Sequence, residues 1–306
     1  MKIAVTGASG LIGGALLTAL RTDGHEVIQL VRRTPRTADE HRWDPQHHRI
    51  DPVVLADVDA VVNLAGTPIR PRPFTSGYKE RLVSSRLDST TTISEAMAAA
   101  ATTDPGRRRV LLSASAVGFY GDTGSRTVTE QDPVGSDFLA QLCGRWESAT
   151  APAEAAGIRV AHLRSGLVLD RSAMLIKVMT PIFRLGLGGR MGSGRQYWPW
   201  ISLADEIGAI RHLLTADVSG PVNLTGPEPV TNAEFTAELG RRLHRPTVLP
   251  VPSFALELAL GEFGRSSVVG GQRALPERLR ESGYRFTHPD LGAALGWALR
   301  KDRPVR

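Results

Sequence analysis

Lys2-Ile3-Ala4-Val5-Thr6-Gly7-Ala8-Ser9-Gly10-Leu11-Ile12-Gly13 opens the chain, and its reading decides the fold. A short apolar run reads as a buried strand, the glycines as a tight turn, and the leucine-rich stretch 11–21 as a helix. The pattern is T-G-x-x-G-x-x-G. Gly7 lets the chain turn off the strand, Gly10 lets backbone approach a pyrophosphate, and Gly13 allows close helix–strand packing. The free N–H groups of the helix then face the phosphates, so Gly7, Ala8, Ser9, Gly10, Leu11, Ile12 and Gly13 are candidate cofactor contacts.

A second strand spans 26–31 and ends on Arg32 and Arg33. A site preferring NAD usually has an acid there for the ribose 2′-hydroxyl. Two arginines instead suit a 2′-phosphate, so the expected cofactor is NADP(H), with exposed strand-end charges as the plainer reading of both residues.

Outward from this unit, apolar runs at 60–64, 109–113 and 158–163 alternate with helical stretches at 78–101 and 138–156. That alternation predicts an α/β fold with a Rossmann-type, doubly wound parallel sheet. A further strand is read at 221–224 and a helix from Asn232. The expected division is a dinucleotide-binding domain over 1–164 plus a strand near 221–225. A smaller C-terminal substrate lobe covers 165–220 and 226–306.

Composition sets the outer limits. The 306 residues are 42% hydrophobic and 22% charged, as in ordinary globular proteins. No apolar run is long enough to cross a membrane, the start lacks a signal-peptide layout, and a cytoplasmic protein is expected. Cys143 is the only cysteine, so neither an internal disulfide nor a cysteine metal cage is expected. The net charge of +6 is scattered and almost all arginine, and its densest cluster, Arg107-Arg108-Arg109, precedes a strand. Nucleic acid is therefore not the expected partner. A small metabolite is, bound by a monomer or homodimer.

Asn63-Leu64-Ala65-Gly66 and Ser113-Ala114-Ser115-Ala116-Val117-Gly118-Phe119-Tyr120-Gly121 resemble motifs of the short-chain dehydrogenase/reductase superfamily in its extended, epimerase-like branch. The match is closer to an atypical "epimerase family protein" group, related to the SulA-homologue proteins. Its hallmarks stand here as Trp43-Asp44-Pro45, Ser85-Arg86-Leu87, Trp146-Glu147, Arg164-Ser165-Gly166-Leu167-Val168-Leu169, Gly192-Ser193-Gly194-Arg195-Gln196 and Trp200-Ile201-Ser202-Leu203-Ala204-Asp205. The tail near 245–300 resembles the group's small C-terminal domain. The resemblance implies cofactor contacts at Leu64, Ala65, Gly66, Arg86, Ser113 and Val168.

Extended members carry a catalytic Y-x-x-x-K, and this sequence contains none. With Glu147 taken as the helix anchor, Leu139 stands at the tyrosine position and Cys143 at the lysine position. The usual acid–base pair is then missing, and no C4-epimerisation of nucleotide sugars is expected. Ser115 and Tyr120 remain as catalytic candidates; a strand-end serine satisfying local backbone explains the first equally well, and a structural role is the plainer reading of Tyr120. Arg164 is read as a substrate anchor or a buried ion pair. Arg195, Gln196 and Tyr197, in the glycine-rich stretch 185–200, are substrate candidates. Two functions stay open: an NADP(H)-dependent oxidoreductase or epimerase acting on a small, anionic metabolite, and a regulator that senses NADPH without turnover.

Overall fold

The computed structural model describes residues 1–300. The opening unit is β1 (Lys2–Thr6), α1 (Leu11–Thr22) and β2 (Glu26–Val31), with β3 (Glu40–Asp44) and β4 (Arg49–Ile50) after it. Next come α2 (Val53–Ala56), β5 (Ala60–Asn63), α3 (Ser76–Thr103), β6 (Val110–Ala116) and β7 (Thr127–Val128). α4 (Phe138–Ser148), α5 (Ala151–Ala155) and β8 (Arg159–Ser165) lead into β9 (Leu167–Leu169) and α6 (Met174–Arg184). β10 (Tyr197–Trp198), β11 (Trp200–Ser202), α7 (Leu203–Thr215), β12 (Gly220–Leu224), β13 (Val230–Thr231) and α8 (Asn232–Leu243) follow. The last part holds α9 (Ser253–Leu260), α10 (Glu262–Gly264), β14 (Arg273–Ala274), α11 (Glu277–Glu281) and α12 (Leu291–Ala298).

The main sheet has the order β12-β8-β6-β5-β1-β2-β3-β4 and is parallel apart from the β3–β4 pair. The order reverses between β1 and β5, the crevice where such sheets bind dinucleotides. Side chains alternate along each strand and feed two cores. Ile3, Val5, Val62 and Leu112 pack under α1 and α7, against Leu16, Leu20, Ile207 and Ile210. Ala4, Val61, Leu111 and Val160 pack against Ile93 and Met97 of α3 on the other face. Each such buried Leu or Ile contributes about 1.5–3 kcal/mol. A third core gathers Phe183 from α6, Trp198, Trp200, Phe235 from α8 and Leu295 from α12.

The doubly wound sheet matches the sequence reading, and three details correct it. The stretch 138–156 is two helices, because α4 stops at Ser148 and α5 restarts with Pro152 in its first turn. The proline ring would clash with the carbonyl four residues earlier, whereas a first-turn proline loses no bond. β3 is hidden in the sequence because Glu40-His41-Arg42-Trp43-Asp44 has a single apolar residue. α7 was not read either, although Ser202 caps it by accepting from the Asp205 N–H.

Gly13 shows how tightly α1 is set against the strand end: a Cβ there would lie 2.3 Å from the Gly7 carbonyl oxygen. Gly13→Ala should destabilise the fold by about 1–3 kcal/mol through overpacking. Gly14→Ala, whose Cβ would stand 3.5 Å from its nearest neighbour, should be neutral or slightly stabilising. Urea denaturation of both variants checks this, and equal midpoints would contradict the packing argument.

Candidate functional site

The turn between β1 and α1 is held from below by a buried hydrogen-bond chain. Thr6 Oγ1 donates to Asn63 Oδ1 at 2.7 Å and accepts from the N–H groups of Leu64 and Ala65 at 2.9 and 3.0 Å. Asn63 Nδ2 and Trp146 Nε1 both donate to Thr90 Oγ1, at 3.0 and 2.9 Å. These bonds tie β1, β5, α3 and α4 together beneath the crevice. Above them Gly7 has φ of +66°, and a Cβ there would meet the Leu64 carbonyl oxygen at 2.6 Å. α1 has no side-chain cap and no acid in its first turn. Its open N-terminal amides suit an anion. Ser9 and Gly10 are exposed at this end, so the cradle fits a pyrophosphate.

At the end of β2 the two arginines part company. Arg33 donates to both carboxylate oxygens of Glu40, with Nη1 at 2.7 Å and Nη2 at 2.5 Å. The Arg33 guanidinium and the Arg36 N–H hold the Glu40 carboxyl down at about 2. An acid therefore does stand near this strand end, contributed by β3 and already neutralised by Arg33. Arg32 is exposed and has no ion-pair partner among the described residues.

The residues read as catalytic lie in one closed network. Ser115 Oγ donates to Glu147 Oε1 at 2.6 Å. Arg164 grips the same carboxylate with Nε and Nη2, both at 2.8 Å, and donates through Nη1 to the Tyr120 hydroxyl at 2.9 Å. Tyr120 in turn donates to Asn223 Oδ1 at 2.7 Å. Burial pushes the Tyr120 phenol up to about 12, against the pull of Arg164. Arg164 is 3% exposed and its guanidinium carbon lies 3.4 Å above the Phe119 ring. Of the two readings of Arg164, the buried ion pair is the one this geometry supports. Tyr120 has both its proton and its acceptor face engaged inside the protein. Cys143 is buried, and burial raises its thiol to about 12, so it is a small hydrophobe here.

Other candidates are dispersed. Leu64, Ala65 and Gly66 line the rim directly after β5, and Ser113 Oγ is buried without a partner among the described residues. Val168 packs on the core of the main sheet. Gln196 Nε2 donates to the carbonyls of Met191 and Val268 at 2.9 and 3.0 Å, stapling the glycine-rich segment. Arg195 is exposed, and the Tyr197 ring lies 4.9 Å from the Arg273 guanidinium. A cavity of about 850 Å³ runs beside α4, lined by Phe119, Val134, Gln141, Glu147 and His162 among others. None of the glycine-turn residues lines it. No group of His, Cys, Asp and Glu among the described residues could hold a metal.

A model of the NAD dependent epimerase/dehydratase family matches residues 3–225. The chain belongs to that family. A second model, a domain of unknown function, matches residues 251–298 of this epimerase-family chain. An epimerase family protein of Mycobacterium tuberculosis is 48% identical over 297 residues, 97% of each chain. The crystal structure of human epimerase family protein SDR39U1 with NADPH superposes with a TM-score of 0.85 at 32% identity, covering 97% of this chain and 99% of that one. A nucleoside-diphosphate sugar epimerase from Corynebacterium glutamicum gives a TM-score of 0.78 at 36% identity, over 98% of this chain and 58% of its own.

Glu206 escaped the sequence reading because α7 did. It is fully buried, accepts from Ser165 Oγ at 2.6 Å, and leaves Oε2 without a partner among the described residues. Burial raises its carboxyl from 4.5 to about 7. The folded chain then holds a proton that the unfolded chain releases above pH 4.5. The Glu206 contribution is therefore complete below that value and is lost as pH rises towards 7, by roughly 3 kcal/mol. Glu206→Gln should be the more stable protein at pH 8, with the difference shrinking by pH 5. Denaturation midpoints across that range test it, and parallel profiles would show Glu206 to be ionised in the fold.

Proposed function

We propose that this chain binds NADP(H) across the β1/β5 crevice and acts as an atypical oxidoreductase or epimerase-like enzyme on a small, anionic metabolite. The observation that carries the cofactor choice is Arg32, an unpaired guanidinium at the end of β2. Arg33, locked on Glu40, braces the same corner. The human relative bound to NADPH supports the choice. When bound, the nicotinamide would supply hydride chemistry. The residues of this chain would cradle the pyrophosphate (Gly7 to Gly13), flank the bases (Leu64, Ala65, Gly66) and select the 2′-phosphate (Arg32). Arg195, exposed in the glycine-rich segment, is the proposed recognition point for substrate charge. No described helix is long and apolar enough to cross a membrane; a cytoplasmic setting and a small-molecule partner are part of the proposal.

A second reading, a sensor of NADPH without turnover, is favoured by one observation. Ser115 and Tyr120, the candidates for proton transfer, both give their protons to groups within the protein. A screen of metabolites followed by NADPH absorbance separates the two readings.

Losing one charge-assisted hydrogen bond costs about 1.5–3 kcal/mol, a tenfold or larger change in affinity. NADPH should therefore bind at least tenfold tighter than NADH, and Arg32→Ala should remove most of that preference while leaving NADH unchanged. Calorimetric titration of both cofactors decides it, with equal affinities in the native protein contradicting the assignment.

A further inference from the structure

Twelve large hydrophobic side chains are exposed among the described residues, and seven of them lie in two short segments, 174–187 and 248–249. Met174, Val178 and Ile182 are one turn apart along α6, and Leu185 and Leu187 follow it. The opposite face of the same helix buries Ile176, Met179 and Phe183 in the third core. α6 is therefore apolar on two faces, and only one of them packs within the chain. Val248 and Leu249 extend the exposed face, because backbone contacts hold their segment against the end of α6. Arg245 Nε donates to the Arg184 carbonyl at 2.8 Å, and the Val251 N–H to the Arg190 carbonyl at 2.9 Å. Between them the backbones touch, so that a Cβ at Gly189 would collide with the Leu249 carbonyl oxygen. Single exposed leucines are ordinary, but a contiguous apolar patch marks an interaction surface.

The charges around the patch say what it faces. The sequence has no Asp or Glu between Asp170 and Asp205, nor between Glu238 and Glu257. Within these stretches Lys177, Arg184, Arg190 and Arg245 are exposed, and none has an ion-pair partner among the described residues. Lys177 and Arg184 stand two turns apart on α6, along one margin of the apolar stripe. The bordering acids are already engaged, Glu238 with Arg241 and Arg242, and Glu257 with Arg265. An apolar strip edged by unmatched cations is complementary to a layered surface of phosphate above hydrocarbon, which is an anionic bilayer. Long basic side chains can lay their stems on the strip while their heads reach the phosphates. With 11 residues α6 is about 16 Å long, roughly half of what crosses a hydrocarbon core, so it would lie on the bilayer.

We infer that this face of the C-terminal lobe docks on an anionic membrane surface. The stripe on α6 would sit at the boundary of head groups and acyl chains, with Lys177, Arg184, Arg190 and Arg245 on lipid phosphates. None of these residues belongs to the glycine turn or to the end of β2, so docking neither requires nor excludes NADP(H).

Cosedimentation of the full chain with vesicles tests this, with phosphatidylcholine alone set against an equal mixture of phosphatidylcholine and phosphatidylglycerol. We expect the chain to pellet with the anionic vesicles and to stay in solution with the neutral ones. Each cation near an anionic surface changes partitioning by about fivefold, so Lys177→Gln with Arg184→Gln should weaken binding about 25-fold. Added salt should act in the same direction. Val178→Glu with Ile182→Glu, both at exposed positions, should weaken binding by at least about tenfold without lowering the melting temperature. Leu185→Glu, beyond the end of the helix, carries the same test if that pair disturbs folding. Native chain that ignores anionic vesicles, pellets equally with neutral ones, or pellets no better than the substituted chains would overturn the inference. So would self-association of the native chain that Val178→Glu with Ile182→Glu abolishes, since the face would then belong to a second copy.

Discussion

Thr6 Oγ1 lies at the centre of this structure, donating to Asn63 and accepting two backbone N–H groups while fully buried. The bonds are strong because no water competes for them, and each would be costly to leave unmade. They fix the ends of β1 and β5 side by side where the strand order reverses, and so set the width of the crevice. Leu64, held at that height, leaves no room for a side chain at Gly7, and Gly13 brings α1 down onto the same turn. Through Asn63, Thr90 and Trp146 the constraint passes to α3 and α4, the helices that carry Arg86 and Glu147.

Charge in the interior then sorts itself by pairing. Glu147 holds Arg164 and accepts from Ser115, while Glu40 holds Arg33; neither pair has capacity left for a ligand's full charge. Outside that sorting Arg32 is exposed at the end of β2 without an ion-pair partner among the described residues, beside the open amides of α1. An anionic, elongated ligand is the complement of that distribution. The same sorting explains why catalysis is harder to locate than binding, since the hydroxyls of Ser115 and Tyr120 are consumed by it.

The parts of this arrangement legible in the sequence are the local ones. The glycine turn, β2 to its last residue and the apolar strands were readable because propensity and burial agree over a few residues. β3 was hidden by its polar composition, since only Trp43 faces the core. α7 carries a usable signal, Ser202 three residues before Asp205 and ahead of an apolar run. Long-range pairings were beyond reach. Nothing in the sequence joins Ser115 to Glu147, or Tyr120 to Asn223 across 103 positions. The arginines at the end of β2 looked equivalent until β3 brought Glu40 to one of them.

The central claim is the proposal that the crevice takes NADP(H), with the open amides of α1 facing its pyrophosphate and the exposed Arg32 its 2′-phosphate. A crystal structure of the chain with NADPH tests it most directly. The account predicts the pyrophosphate on the amides of the Gly7–Gly13 turn and the 2′-phosphate on Arg32. A cofactor bound with its 2′-phosphate in solvent, or with its pyrophosphate away from that turn, would contradict it.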